Sequence, residues 1–264
     1  MNKSEDNLLL FARLDDLCNY ADGGELKSSC FLSPRELHFS GIYLEKKGMR
    51  ARALTWGGYA DAERKKIFVL PEYMDGVTEY RQIFDFGYED AVLAVSIKGS
   101  GYKRLSHRDF LGSVLGLGLR RDVIGDIIVT GESHADALVI CDAAVADFIC
   151  DTLTKVGSDT VRTSKVSLSA DFAPKRQLLH ISDTVASARL DAVVGALCSL
   201  SRGNAREAVE AGLVELEYEC EERADRTVEA PAIISVRGYG KFKVNSVSET
   251  TRKGRIRLDA DKYL

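Results

Sequence analysis

The residues best equipped for chemistry in this sequence are arginines beside helix starts, and the chemistry open to them is phosphate binding. Arg189 precedes an apolar stripe, Leu190, Val193, Val194 and Leu197, whose i, i+3, i+4, i+7 spacing predicts a short helix, with Asp191 beside it. Ser201 is placed to cap a second helix, on which Ala205, Ala208 and Val209 pack while Arg202 and Arg206 stand four apart on another face. Guanidinium binds phosphate bidentately, and a helix N-terminus with free amides already favours an anion. Two further cations follow, Arg237 and Lys241, at a turn between strands. A second basic group lies mid-chain. From Lys98 to Arg121 there are six Lys or Arg against the single acid Asp109. Lys103, Arg104, His107 and Arg108 surround a helix start there. Arg120 and Arg121 stand at its far end, where they also complement the helix dipole. Ser106 and Asp109 form a capping box, and His107 is open to either a packing or a contact role.

The elements that must position these residues read as α+β. Gly212 stops the second arginine-bearing helix, and strict alternation predicts a strand with Val214, Leu216, Tyr218 and Cys220 inward and Glu215, Glu217, Glu219 and Glu221 outward. Pro231 precedes a strand from Ala232 to Val236, and Arg237-Gly238 turns into another, Tyr239 to Val244. From Ala230 to Arg257 the end of the chain carries seven basic residues, at 237, 241, 243, 252, 253, 255 and 257, against Glu249. The middle predicts strand Ala91–Ile97, helix Ser106–Leu119, strands Asp126–Thr130 and Ala137–Cys141, a helix from Asp142 to Val156 with Val145, Phe148, Ile149 and Val156 inward, and strand Val161–Leu168. That βαββαβ order is ferredoxin-like, a fold with many functions; the aromatic signature of RNA-recognition sheets is absent. The N-terminal part is a mixed α/β region. It has a helix from Asn7 to Tyr20 with Leu9, Leu10, Leu14 and Leu17 on one side, a helix capped at Ser33-Pro34, and strands at Ala53–Trp56 and Ile67–Leu70. Between those strands, GGYADAERKK reads as a Gly-Gly turn and a surface helix; the paired glycines suit either a phosphate approach or a plain positive-φ turn. Asp75–Gln82 reads as a polar linker or surface turn. The expected divisions are 1–82, 83–172 and 180–264.

Two resemblances follow from these residues. Arg189-Leu190-Asp191, Ser201-Arg202 with Ala205, Gly212-Leu213-Val214 and Arg237-Gly238-x-Gly240-Lys241 resemble the S4 (αL-type) RNA-binding domain. One departure is Leu216-Glu217-Tyr218, where that family usually has Val-Asn-Gly, so a hairpin of different length with an acidic outer face is expected. With GGYADAER and SHRDFLGSVLGLGLRRDVIGDI added, nearly the whole chain resembles the YlmH family of bacterial S4-domain proteins. The resemblance implies a cytoplasmic, non-catalytic RNA-binding protein that works on the large ribosomal subunit. It implies ribosomal RNA and peptidyl-tRNA as partners, and for some members a role beside a nascent-chain tailing factor in alanine tailing during rescue of stalled ribosomes. In related S4 tailing factors two arginines matter for ribosomal RNA binding; they match Arg189 and Arg202.

Composition bounds the rest. Hydrophobic content of 45% and a net charge of −4 imply a packed core and no chain-wide attraction to nucleic acid, so any basic surface is local. No apolar run reaches membrane-span length, and the acidic, polar N-terminus does not read as a signal peptide. The six cysteines form no close pair and read as free thiols; no metal or other cofactor is expected. Asp85-Phe86-Gly87 and His107-Arg108-Asp109 spell kinase signatures in reversed order without a phosphate loop, and Gly116-Leu117-Gly118 follows a helix rather than a strand. The rivals are an RNA-modifying enzyme, such as a pseudouridine synthase or methyltransferase, and an interaction adaptor, for instance in cell division, that uses the acidic hairpin.

Overall fold

Capping chemistry sets the helix starts. Ser33 and Glu36 exchange hydrogen bonds in a capping box with Pro34 at the first helical position, and Ser106 does the same with Asp109. In the computed structural model of the chain, residues 3–131, 134–169, 171–174, 178–250 and 254–263 are described. They form an α+β protein in two compact units, Met1–Pro174 and Lys175–Leu264. The sequence divisions 1–82 and 83–172 both fall within the first unit.

The first unit begins with α1 (Lys3–Asp22), β1 (Lys27–Ser28), α2 (Pro34–Lys46), β2 (Ala53–Trp56) and β3 (Lys66–Val69); the strands form a sheet in the order β1-β3-β2. Leu10, Leu14 and Leu17 are buried on α1, but Leu9, expected with them, is 52% exposed. The segment Gly57–Lys65 is a series of turns, not the expected surface helix. Its glycines explain why: a Cβ on Gly57 would stand 2.3 Å from the Arg64 carbonyl oxygen, and Gly58 has φ +91 against Ile140. The 75–82 stretch opens as an exposed turn at Gly76 but is no linker, since Val77 and Tyr80 are buried and a 3₁₀ helix runs from Tyr80 to Phe86.

The unit continues with β4 (Val92–Lys98), α3 (His107–Leu115), β5 (Ile124–Thr130), β6 (Asp136–Asp142), α4 (Ala143–Thr152), β7 (Lys155–Val156), β8 (Asp159–Thr160) and β9 (Arg162–Val166). The four long strands pair antiparallel in the order β5-β6-β4-β9. One sheet face, with Val95, Ile97, Val139 and Cys141, packs on Phe110 and Val114 of α3 and Ala146 and Ile149 of α4. The other face, with Val92, Ala94 and Ile140, packs on Phe31, Tyr59, Trp56 and Phe172. Both helices end earlier than periodicity suggests. The chain leaves α3 through Gly118 at φ +88, and after α4 it enters the β7-β8 hairpin, which buries Val156. Phe148, expected inward, is 44% exposed.

The second unit comprises β10 (Leu178–Val185), α5 (Leu190–Cys198), α6 (Arg202–Glu210), β11 (Val214–Leu216), β12 (Glu219–Cys220), β13 (Ala232–Val236), β14 (Gly240–Thr250) and β15 (Ile256–Tyr263), with a six-stranded sheet in the order β10-β15-β14-β13-β11-β12. Leu190, Val193, Val194 and Leu197 of α5 and Ala205 and Val209 of α6 pack on Ile234, Val236, Phe242, Val244, Leu258 and Ala260 of the sheet. The basic finish of the sequence is therefore largely strand. Arg252 and Lys253 lie outside the described residues. The alternation read over 214–221 is broken by a two-residue turn: Glu217 and Tyr218 both have positive φ (49 and 67), and Cys220 is exposed. Such a turn normally takes Asn-Gly.

Candidate nucleic-acid interface

Asp191 organises the basic residues of the second unit. It is 2% exposed, on the first turn of α5, and accepts from Arg189 Nε at 3.1 Å and from Arg189 Nη2 at 2.9 Å. Arg202, the first residue of α6, reaches the same carboxylate at 3.7 Å. One buried carboxylate thus draws together guanidinium groups from two helices, while both arginines keep exposed surface. Arg206, one turn further along α6, pairs with Glu210 at 2.6 Å and feels the charges of Arg189 and Asp191. These three arginines form one cluster. The amides at the start of α5, by contrast, are not open to an anion: Leu190 N donates to Arg226 O at 2.8 Å and Asp191 N to Ala224 O at 3.0 Å. This corrects the expectation of free amides there. What this site offers an anion is guanidinium groups rather than helix amides.

Burial pushes the Asp191 carboxyl up, but hydrogen bonds from Arg189 and the charges of Arg189 and Arg202 outweigh it, so the group sits below the ordinary carboxylate range. The hydrogen bond to Asp191 in turn raises Arg189. A carboxylate lowered on folding adds stability above its unfolded pKa of about 4, and that stability is lost as pH falls through the folded value. Asp191→Asn should therefore weaken the amide-exchange protection of α5 by about 1–2 kcal/mol at pH 7. The effect is modest because both partner arginines keep contact with solvent. The gap between variant and wild type should close toward pH 3. A gap of equal size at both pH values would contradict this role.

Arg237 and Lys241 are placed differently. Arg237 is exposed in the turn after β13, its amide donating to Leu213 O at 2.9 Å. Lys241 precedes the fully buried Phe242 on β14, so strand alternation puts it on the sheet face opposite α5 and α6. Its ammonium lies 5.3 Å from the Tyr218 ring centre and 5.1 Å from that of Tyr263. Lys241 is therefore not part of the three-arginine cluster. Arg255 donates to Thr184 Oγ1 at 2.9 Å.

In the first unit, Lys103, Arg104, His107 and Arg108 are exposed around the start of α3, Lys103 donating to Ser158 Oγ at 2.5 Å. Partial desolvation and then the charge of Arg121 lower the His107 pKa, which favours neutral imidazole. Arg121 is turned inward: it bonds Ile124 O and, at 3.1 Å, Gly125 O, and burial beside Arg64 brings its pKa down to about 10. Arg120 pairs with Asp122. Neither closes the end of α3, which stops at Leu115. The two distinctive sequence blocks meet at Asp126, which accepts from Tyr59 Oη at 2.7 Å, Glu63 N at 2.7 Å and Arg64 N at 3.0 Å. The Gly-Gly segment is thus a turn clasped to β5, and its glycines serve packing.

Burial raises the thiols of Cys18, Cys30, Cys150, Cys198 (to about 11) and Cys141 (to about 12), which disfavours a thiolate nucleophile at those positions. Among the described residues no group of three or more His, Cys, Asp or Glu is arranged to hold a metal, and no helix is long and apolar enough to cross a membrane.

Comparison with known proteins adds the lineage. The ribosome-associated protein quality control protein P2 of Bacillus subtilis (strain 168) is 31% identical over 236 residues, 88% of this chain and 86% of that protein. The chain belongs to the YlmH family. Residues 88–170, spanning β4 to β9, match the family description "Putative RNA-binding domain in YlmH". A solved structure, the cell division protein ylmH from Streptococcus pneumoniae, is 17% identical, with a TM-score of 0.46 over 61% of this chain and 87% of that one. The sequence of this YlmH-family chain points to each arginine of the second-unit cluster, Arg189, Arg202 and Arg206, but not to Asp191 as the group that gathers them. The available signal was an acid among the apolar residues of the α5 stripe.

Proposed function

We propose that this protein is a non-catalytic, cytoplasmic RNA-binding factor of the large ribosomal subunit, acting in ribosome-associated quality control. The observation that carries this reading is the pairing of Arg189 and Arg202 on the buried Asp191 carboxylate. Two guanidinium groups held from two helices form a preorganised site for neighbouring phosphates. In this reading residues 180–264 are an S4 domain: two short helices packed on an antiparallel sheet support it. Residues 83–172 are a ferredoxin-like domain, supported by the β5-β6-β4-β9 strand order. Residues 1–82 form the N-terminal α/β region. Arg189, Arg202 and Arg206 contact ribosomal RNA, with Arg237 at the rim, and Lys241 contacts RNA that reaches the opposite sheet face. Lys103, Arg104, His107 and Arg108 form a second contact surface.

Kinship with the ribosome-associated protein quality control protein P2 of Bacillus subtilis supports the ribosome-associated part of this reading; its finer parts are ribosomal RNA and peptidyl-tRNA as ligands and a nascent-chain tailing factor as partner, in the alanine tailing of stalled chains. The reading predicts that affinity for large-subunit ribosomal RNA falls steeply with salt, the log-log slope being about 0.7–0.9 per phosphate contact. Filter binding across a salt series tests it, and affinity that barely changes with salt would refute it.

A further inference from the structure

The first unit also contains a recess lined by both apolar and charged side chains, away from the start of α3. It is a cavity of about 350 Å³ on the face of the four-stranded sheet that α3 and α4 do not cover. Its size falls within the range of about 300–1,000 Å³ usual for small-ligand sites. Val92, Ala94 and Ile140 form its floor and Trp56 and Phe84 its aromatic walls. The walls are braced through Tyr80. Trp56 stacks on that ring at 5.3 Å and 12°, and Phe84 meets it edge-on at 5.6 Å. Two charged side chains line the same space, Arg81 and Asp90. Asp90 is fixed by accepting from Tyr80 Oη at 2.8 Å and Val92 N at 3.0 Å, both through Oδ1.

Flat aromatic walls with a guanidinium donor and a carboxylate acceptor suit a heteroaromatic ring better than an aliphatic side chain. The surrounding charge points the same way. Cross-strand register carries the cavity's sheet face from Ala94 and Val166 through Ser96 and Ser164 to Lys98 and Arg162, both exposed, about 13 Å further along the strands. Lys98 also pairs with Asp136 at 3.3 Å. We propose that this cavity binds one unpaired nucleobase of single-stranded RNA, with guanine preferred, while Lys98 and Arg162 face phosphates further along the same RNA strand. Guanine presents acceptors at N7 and O6, which match Arg81, and N–H donors on its pairing edge, which match Asp90. This assignment rests on the reading of the protein as an RNA-binding factor, but it concerns a different site from the arginine cluster.

Trp56 is the only tryptophan in the chain, so its fluorescence reports this cavity alone. The full-length protein is titrated with a single-stranded RNA hexamer carrying one guanosine among uridines, with hexauridine, and with a hexamer abasic at the guanosine position. The guanosine hexamer should quench Trp56 saturably and most tightly, and the abasic one least. Phe84→Ala, at a solvent-exposed wall residue, should weaken quenching affinity about tenfold, the scale of one lost base stack. Arg81→Ala should erase the preference for guanosine. The Arg189→Ala/Arg202→Ala variant should keep the quenching even as it loses ribosomal RNA. Quenching that is absent, equal for the three hexamers, indifferent to both cavity variants, or lost in the double-arginine variant would overturn the assignment. Retained quenching with unchanged ribosomal RNA affinity in the double-arginine variant would uphold the cavity and reject the arginine cluster instead.

Discussion

Replacing Arg189 and Arg202 together with alanine is expected to weaken binding to large-subunit ribosomal RNA by about a hundredfold and to flatten the salt slope by about 1.4–1.8. The slope change follows from two lost phosphate contacts. The affinity loss follows from two charge-assisted hydrogen-bonding groups of about 1.5 kcal/mol each. The change should leave the fold intact, because both side chains keep exposed surface and the apolar packing of α5 and α6 lies on their other faces. Removing both also leaves the buried Asp191 carboxylate without its guanidinium partners, so its pKa should rise. Arg206→Ala alone should cost less, since that guanidinium already pairs with Glu210. Filter binding across a salt series, with circular dichroism as the folding control, measures both quantities. An unchanged slope would mean that these arginines do not meet phosphate.

The second large effect lies in stability, at the junction of the two sequence blocks in the first unit. Asp126→Ala removes the acceptor shared by the Tyr59 hydroxyl and the Glu63 and Arg64 amides. The expected loss is about 3 kcal/mol, because a carboxylate that accepts from three donors across the two blocks is removed. Urea unfolding followed by Trp56 fluorescence reads this unit specifically, since the other unit has no tryptophan. The midpoint should fall with an unchanged slope, while the ribosomal RNA affinity set by the arginine cluster stays as it was. A loss below about 0.5 kcal/mol would show that the Gly57–Lys65 turn holds itself.

The parts of this protein that were legible in the sequence are those set by local rules. The caps at Ser33, Ser106 and Ser201, the α5 stripe and the left-handed Gly212 follow from side-chain spacing and backbone preference, and the structure has each of them. What local reasoning missed depended on distant residues. GGYADAER reads as a turn leading into a helix, yet its amides are taken by Asp126, more than sixty positions along. Tyr80 sits in a stretch that reads as polar, but Trp56 and Phe68 supply its packing. That the basic finish of the chain ends in a strand is not legible locally, because the partner of β15, β10, precedes the two helices. Among the candidate site residues, spacing puts Arg202 and Arg206 on one helix face, and the family resemblance joins Arg189 to Arg202. Spacing could not show that Lys241 faces the other side of its sheet, because that depends on which residues of β14 meet the helices.

The central claim is that Arg189 and Arg202, gathered on Asp191, bind the RNA of the large ribosomal subunit. Its most direct test is sedimentation of the tagged full-length protein through a sucrose gradient of native cell extract, wild type against Arg189→Ala/Arg202→Ala. The account predicts that wild type travels with the large subunit at low salt and that the variant remains at the top. Wild type at the top of the gradient under the same conditions, or a variant that still travels with the subunit, would contradict it.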